Sequence, residues 1–230
     1  MYAVITGASR GIGKALAYRF AKAGYDLVLT CEKEIGMLTD VKNDISSKYN
    51  KKVIIKKGLL ESNEIPDDSY VLVNNAGKAY HTLVQETDIH KYRDLLDTNL
   101  DYTYMTTQNY LKKCLKNKQG IILNVSSIFG LIGGSMEVAY SMTKGGLVAF
   151  TKALYKEIGS SGFTIYCVCL GAVDTDMVRN NIPKENLPSF VKTLKDGRMF
   201  TPEEIADNIY DIVSKKNKEN GAIIEINNML

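Results

Sequence analysis

At 230 residues, with 45% apolar and 24% charged side chains, the chain has the composition of an ordinary globular protein able to bury one sizeable core. A net charge of +3, with pairs such as Lys51-Lys52, Lys56-Lys57 and Lys215-Lys216 dispersed as solvated faces, gives no ground for a nucleic-acid partner. No apolar run approaches the roughly 18 residues that cross a bilayer, and no charged region or cleavage site precedes the first strand, so neither a membrane span nor a signal peptide is expected.

Tyr2-Ala3-Val4-Ile5-Thr6 is a short apolar run ending in Gly7-Ala8-Ser9-Arg10-Gly11-Ile12-Gly13, and helical periodicity follows over 14–23. Strand, glycine turn and helix form the context that a phosphate-binding turn requires. The glycines admit a diphosphate close to the backbone, and the helix N-terminus aims free N–H groups at it. The spacing Gly-x-x-x-Gly-x-Gly differs from the commoner Gly-x-Gly-x-x-Gly, and a tight turn without a ligand is the alternative.

Residues 26–30 read as a second strand, 33–49 as a polar helix and 53–55 as a third strand. The fourth strand, 70–74, closes in Asn75-Ala76-Gly77, and one helix is expected within 89–118. Strands at 121–125, 163–170 and 222–226 alternate with helices at 138–158 and 202–214. Apolar strands alternating with helices imply an α/β fold, a Rossmann-type doubly wound parallel sheet, with 1–230 as a single domain. Ligands then bind at the carboxyl ends of the strands. Cys31, Cys114, Cys167 and Cys169 show no zinc-ligand spacing, and two lie in the apolar run 163–170. Buried free thiols in a reducing compartment, the cytoplasm, are the expectation.

The run 121–125 leads into Ser126-Ser127, and Tyr140-Ser141-Met142-Thr143-Lys144 lies on the helix that follows. A tyrosine and a lysine at i and i+4 share one helix face, roughly 5–6 Å apart at Cβ. A nearby cation lowers a phenol's pKa from about 10, the direction that general acid/base work needs. Ser127, at a strand end, stands where its hydroxyl can hydrogen-bond a substrate oxygen.

These residues resemble the short-chain dehydrogenase/reductase family. Four signatures fall in order: Thr6-Gly7-x-x-x-Gly11-x-Gly13, Asn74-Asn75-Ala76-Gly77, Ser127 with Tyr140-x-x-x-Lys144, and Gly171-x-x-x-Thr175. Within the family, residues 6–13, 140–146 and 198–206 are similar to 3-oxoacyl-acyl-carrier-protein reductases. The resemblance implies hydride transfer with a nicotinamide cofactor. Tyr140 is then the acid/base and Ser127 the hydrogen-bond partner of the carbonyl oxygen. Lys144 lowers the tyrosine pKa and binds the nicotinamide ribose, and Asn99 supports a water that links Lys144 to solvent. The cofactor residues it implies are Gly7, Ser9, Arg10, Gly11, Ile12 and Gly13 at the diphosphate turn. Asn75, Ala76 and Gly77 line the adenosine side, and Val173 and Thr175 the carboxamide side.

Three departures matter. Leu170 stands where the family has proline, so a looser carboxamide loop is expected. No aspartate follows the third strand in Gly58-Leu59-Leu60-Glu61, and the helix between strands three and four shrinks to a turn. At the end of the second strand, Cys31 replaces the carboxylate that binds an NADH ribose, and Arg10 offers a fork for a 2′-phosphate. NADP is expected over NAD, with Glu32 opposing and Lys33 able to compensate. The expected substrate is a small-molecule carbonyl or acyl thioester, presented by an acyl carrier protein. Lys112, Lys113 and Lys116 form either a basic rim steering that acidic carrier or a solvated helix end. Surplus apolar residues on the helices within 89–118 and 138–158 imply a homodimer or homotetramer. The competing readings are an NAD-dependent alcohol dehydrogenase of the same family and a non-catalytic nucleotide sensor.

Overall fold

The computed structural model describes residues 1–215 and 218–229; Lys216, the second member of the Lys215-Lys216 pair, lies outside them. The first apolar run becomes β1 (Tyr2–Ile5), an interior strand of a parallel sheet, and the glycine turn hands the chain to α1 (Gly11–Lys22). There follow β2 (Asp26–Cys31), α2 (Ile35–Tyr49), β3 (Val53–Lys57) and, after a single 3₁₀ turn at Ser62–Glu64, β4 (Ser69–Asn74). The second half comprises α3 (Ile89–Leu96), α4 (Tyr102–Cys114), β5 (Gly120–Ser127), α5 (Phe129–Ile132) and α6 (Val138–Ile158). It closes with β6 (Phe163–Leu170), α7 (Asp176–Asn181), α8 (Leu187–Lys192), α9 (Pro202–Lys215) and β7 (Ile223–Ile226).

The strand order is β3-β2-β1-β4-β5-β6-β7, all parallel. Every residue of β5 and all but one of β6 are buried, as strands covered on both faces must be. Leu16, Phe20, Ile205 and Ile209 pack α1 and α9 on one face, and Tyr110, Cys114, Leu154 and Ile158 pack α4 and α6 on the other. The order reverses between β1 and β4, so a crevice opens above their carboxyl ends.

One expectation is corrected. The helix expected within 89–118 is broken by a π turn at Asp97–Asp101, which brings Asn99 to full burial. Of the two readings of Lys112, Lys113 and Lys116, the solvated helix end fits their place at the far end of α4 from the crevice. Lys113 and Lys116 stand 3.3 and 2.8 Å from Asp67, just before β4 begins, and Lys112 donates to Gln108. Topology rather than charge removes them from the substrate's path, because α4 runs back from the crevice while the strands run toward it.

Candidate active site at the carboxyl edge

A cleft of about 1000 Å³ runs along this edge, from the end of β2 across the glycine turn to the end of β6. Its lining includes every expected cofactor residue: Gly7, Ser9, Arg10, Gly11, Ile12, Gly13, Asn75, Ala76, Gly77, Val173 and Thr175, together with Ser127, Tyr140 and Lys144. Asn99 lies behind the wall.

The glycine turn is shaped by contacts that no side chain would permit. Gly7 holds φ +66, and a Cβ at Gly13 would come 2.2 Å from the Gly7 carbonyl oxygen. Thr6 and Asn75 lock the turn: the Thr6 hydroxyl accepts from the Asn75 and Ala76 amides, both at 3.0 Å, and Asn75 Nδ2 donates to the Thr6 carbonyl at 2.9 Å. The Asn75 side chain is therefore committed to the turn, while its neighbours Ala76 and Gly77 face the cleft. No side chain caps the first turn of α1, whose free N–H groups face the same space. An uncapped twelve-residue helix behind a glycine cradle, in a cleft of this size, fits a dinucleotide diphosphate.

At the other end, β5 delivers Ser127, buried at 8% exposure, beside Tyr140 on α6. The Ser127 hydroxyl donates to the Leu170 carbonyl at 3.4 Å and accepts from the Phe129 amide at 3.2 Å. Lys144 Nζ, nearly buried, donates to the Val125 carbonyl at 2.9 Å and sits 5.6 Å from the Tyr140 ring centre. Burial pulls this ammonium down to about 8. The phenol departs from expectation. Burial pushes it above 10, the nearby Glu137 adds to the rise, and Ser127 alone pulls it back. An ammonium on the same helix face does not overcome desolvation at that range, so the tyrosine is a protonated acid at neutral pH rather than a poised phenolate.

Several supports escaped the sequence. Asn99 Nδ2 donates to the Lys78 carbonyl at 3.0 Å and to Thr143 Oγ1 at 2.9 Å, and Asn99 Oδ1 accepts from the Lys78 amide at 2.8 Å. Thr143 in turn donates to the Tyr140 carbonyl at 2.8 Å, so the π turn is tied to the helix that carries the tyrosine. A Cβ on Gly130 would stand 2.6 Å from the Lys144 carbonyl carbon, which explains a glycine where α5 crosses α6. Glu137, 14% exposed at the start of α6, is pushed up to about 7 by burial, with His81 Nδ1 at 3.7 Å.

The loop after β6 is held despite Leu170. Asn228 Oδ1 accepts from the Ala172 amide at 2.8 Å and its Nδ2 donates to the Ala172 carbonyl at 3.0 Å, which supplies the restraint expected of proline. On the substrate side, α7 lines the cleft through Met177, Val178, Asn180 and Asn181, and Asn181 Nδ2 donates across to the Ala79 carbonyl at 3.3 Å. At the adenosine end, Tyr102 lines the cleft, its hydroxyl 2.7 Å from Thr30 Oγ1 and donating to the Gly58 carbonyl at 3.2 Å. Arg10 points outward, 59% exposed and 3.7 Å from Asp176.

A doubly wound sheet with a glycine-turn dinucleotide cleft and a serine–tyrosine–lysine cluster at its carboxyl edge defines a class of nicotinamide-dependent oxidoreductases. The chain belongs to the short chain dehydrogenase family, whose model matches residues 1–186. It is 33% identical over 236 residues to the uncharacterized oxidoreductase YmfI of Bacillus subtilis, covering 98% of this chain and 96% of the relative. It is 31% identical over 236 residues to the 3-oxoacyl-[acyl-carrier-protein] reductase FabG of Aquifex aeolicus (97% and 94% covered), and 32% identical over 226 residues to that of Chlamydia muridarum (89% and 86%).

Proposed function

We infer that this protein is an NADPH-dependent carbonyl reductase that converts a 3-oxoacyl thioester, or a similar small ketone, to a secondary alcohol. The observation that carries the reading is the gathering of Ser127, Tyr140 and Lys144 at the end of a cleft that continues to the glycine turn. When bound, the nicotinamide cofactor supplies the hydride. Gly7 to Gly13 hold its diphosphate, and Lys144 is offered to the ribose hydroxyls. Tyr140 gives its proton to the carbonyl oxygen, while Ser127 fixes that oxygen by a hydrogen bond. Asn99 positions the helix through Thr143.

The alternative alcohol dehydrogenase would use Tyr140 as the base of the reverse reaction, and the reductases named among the relatives favour reduction. The NADP assignment rests on Cys31 in place of an acid and on the exposed guanidinium of Arg10. The non-catalytic sensor reading is disfavoured by the presence of Asn99, Ser127, Tyr140 and Lys144 together. The reductases named among the relatives support an acyl thioester delivered by an acyl carrier protein, and assembly as a homodimer or homotetramer fits exposed apolar residues on α4 and α6. Four buried free thiols fit a reducing cytoplasm.

A panel of 3-oxoacyl thioesters, short ketones and secondary alcohols with each cofactor, followed at the nicotinamide absorbance, tests the reading. Highest kcat/KM for a 3-oxoacyl thioester with NADPH is expected, and faster oxidation of an alcohol with NAD would overturn it.

A further inference from the structure

The adenosine end of the cleft holds an ion-pair cluster that the proposed chemistry leaves unused. Lys78 follows Gly77 at the end of β4, and Glu32 follows β2, so the two flank the end of β1 from either side. Lys78 Nζ lies 2.9 Å from the Glu32 carboxylate and 2.7 Å from Asp94 Oδ1, and all three residues line the cleft. Lys78 is 21% exposed at its side chain, and its backbone is gripped at both polar atoms by Asn99. Asp94 is held a second time by the Tyr80 hydroxyl at 2.6 Å. Burial disfavours the Lys78 ammonium, but Asp94 and Glu32 outweigh that and hold it above its ordinary range.

The end of β2 abuts the glycine turn, since the Ala8 amide donates to the Thr30 carbonyl at 2.9 Å. In such folds an acid near this point binds a ribose 2′-hydroxyl, and a cation accommodates a 2′-phosphate. Glu32 stands one residue past Cys31, within reach of that position, and a bare carboxylate there repels a phosphate carrying about −1.5 to −2 charges. We propose that Lys78 is a specificity-determining residue that pairs with Glu32, withdraws this carboxylate from the ribose, and so admits a 2′-phosphate. Lys33, 3.8 Å from Glu32 and 73% exposed, is too loosely placed to do so alone. This deepens the NADPH reading, on which it rests for the cofactor's place.

The test is calorimetric binding of adenosine 2′,5′-bisphosphate and adenosine 5′-monophosphate to the full chain. Lys78→Met lowers the bisphosphate/monophosphate affinity ratio about fivefold or more, the scale of a half-exposed charge pair. Glu32→Gln alone raises the ratio, and in that background Lys78→Met no longer changes it. An unchanged ratio in Lys78→Met, or a fall that persists in the double variant, overturns the proposal. A wild type that prefers the monophosphate refutes the NADPH assignment while leaving the Lys78–Glu32 coupling readable. Failure of the wild type to bind either nucleotide overturns both.

Discussion

A phenol beside a half-buried carboxyl loses its proton only against two penalties, desolvation and like charge, and Tyr140 meets both. Lys144 is held down to about 8 by the same dry surroundings, so the pair is mostly phenol and ammonium at neutral pH. Glu137 carries the clearest stability signature. Its folded value of about 7 exceeds the ordinary 4.5, so between those values the native state binds the proton that the unfolded chain has released. Stability therefore falls as pH rises across that window. Glu137→Gln removes the dependence: its gain over wild type is expected to grow from near zero below pH 4.5 to about 3 kcal/mol above pH 7. Urea midpoints measured against pH check this. A difference that stays flat would mean that the carboxyl ionises normally in the fold.

Among the elements, α4 and α6 carry both the site and the surface on which the proposed assembly rests. Of the aromatic and apolar residues on these helices, Tyr110 and Val148 are core, and Tyr102 turns into the cleft. Tyr104 and Tyr155 remain exposed at 57% and 39%, joined on α6 by Val138 and Met142 at 50% and 48%. Tyr104 packs its ring 6.1 Å from that of Phe150, joining the two helix faces in one apolar surface. The proposed pairing of these helices across a two-fold axis would bury that surface. Sedimentation at micromolar concentration is expected to give a multiple of 25.6 kDa, and a monomer alone would exclude the pairing.

At the scale of the whole molecule, what was legible was what chemistry ties to short spacing. The Gly7–Gly13 turn and the Tyr140–Lys144 step each carry their meaning within a few residues, and the bounds of α6 and β6 agree with their periodicity. What was not legible depends on distant partners. Lys78 acquires its role from Glu32, 46 residues away, and Asn228 replaces a missing proline from 56 residues beyond Ala172. The π turn within 89–118 is fixed by the bonds of Asn99 to Lys78 and Thr143, partners that the local spacing does not name. The phenol was misjudged for a related reason, since desolvation belongs to the folded surroundings and not to the i, i+4 step.

The central claim, that Tyr140 protonates the carbonyl as hydride arrives, is tested most directly by single turnover of a 3-oxoacyl thioester on the preformed NADPH complex of wild type and Tyr140→Phe. The account predicts a fall of about 10²–10⁴-fold in the nicotinamide oxidation rate, with NADPH affinity within a few-fold. A variant that keeps more than about a tenth of the wild-type rate would contradict it, because removing a general acid costs at least about 10²-fold.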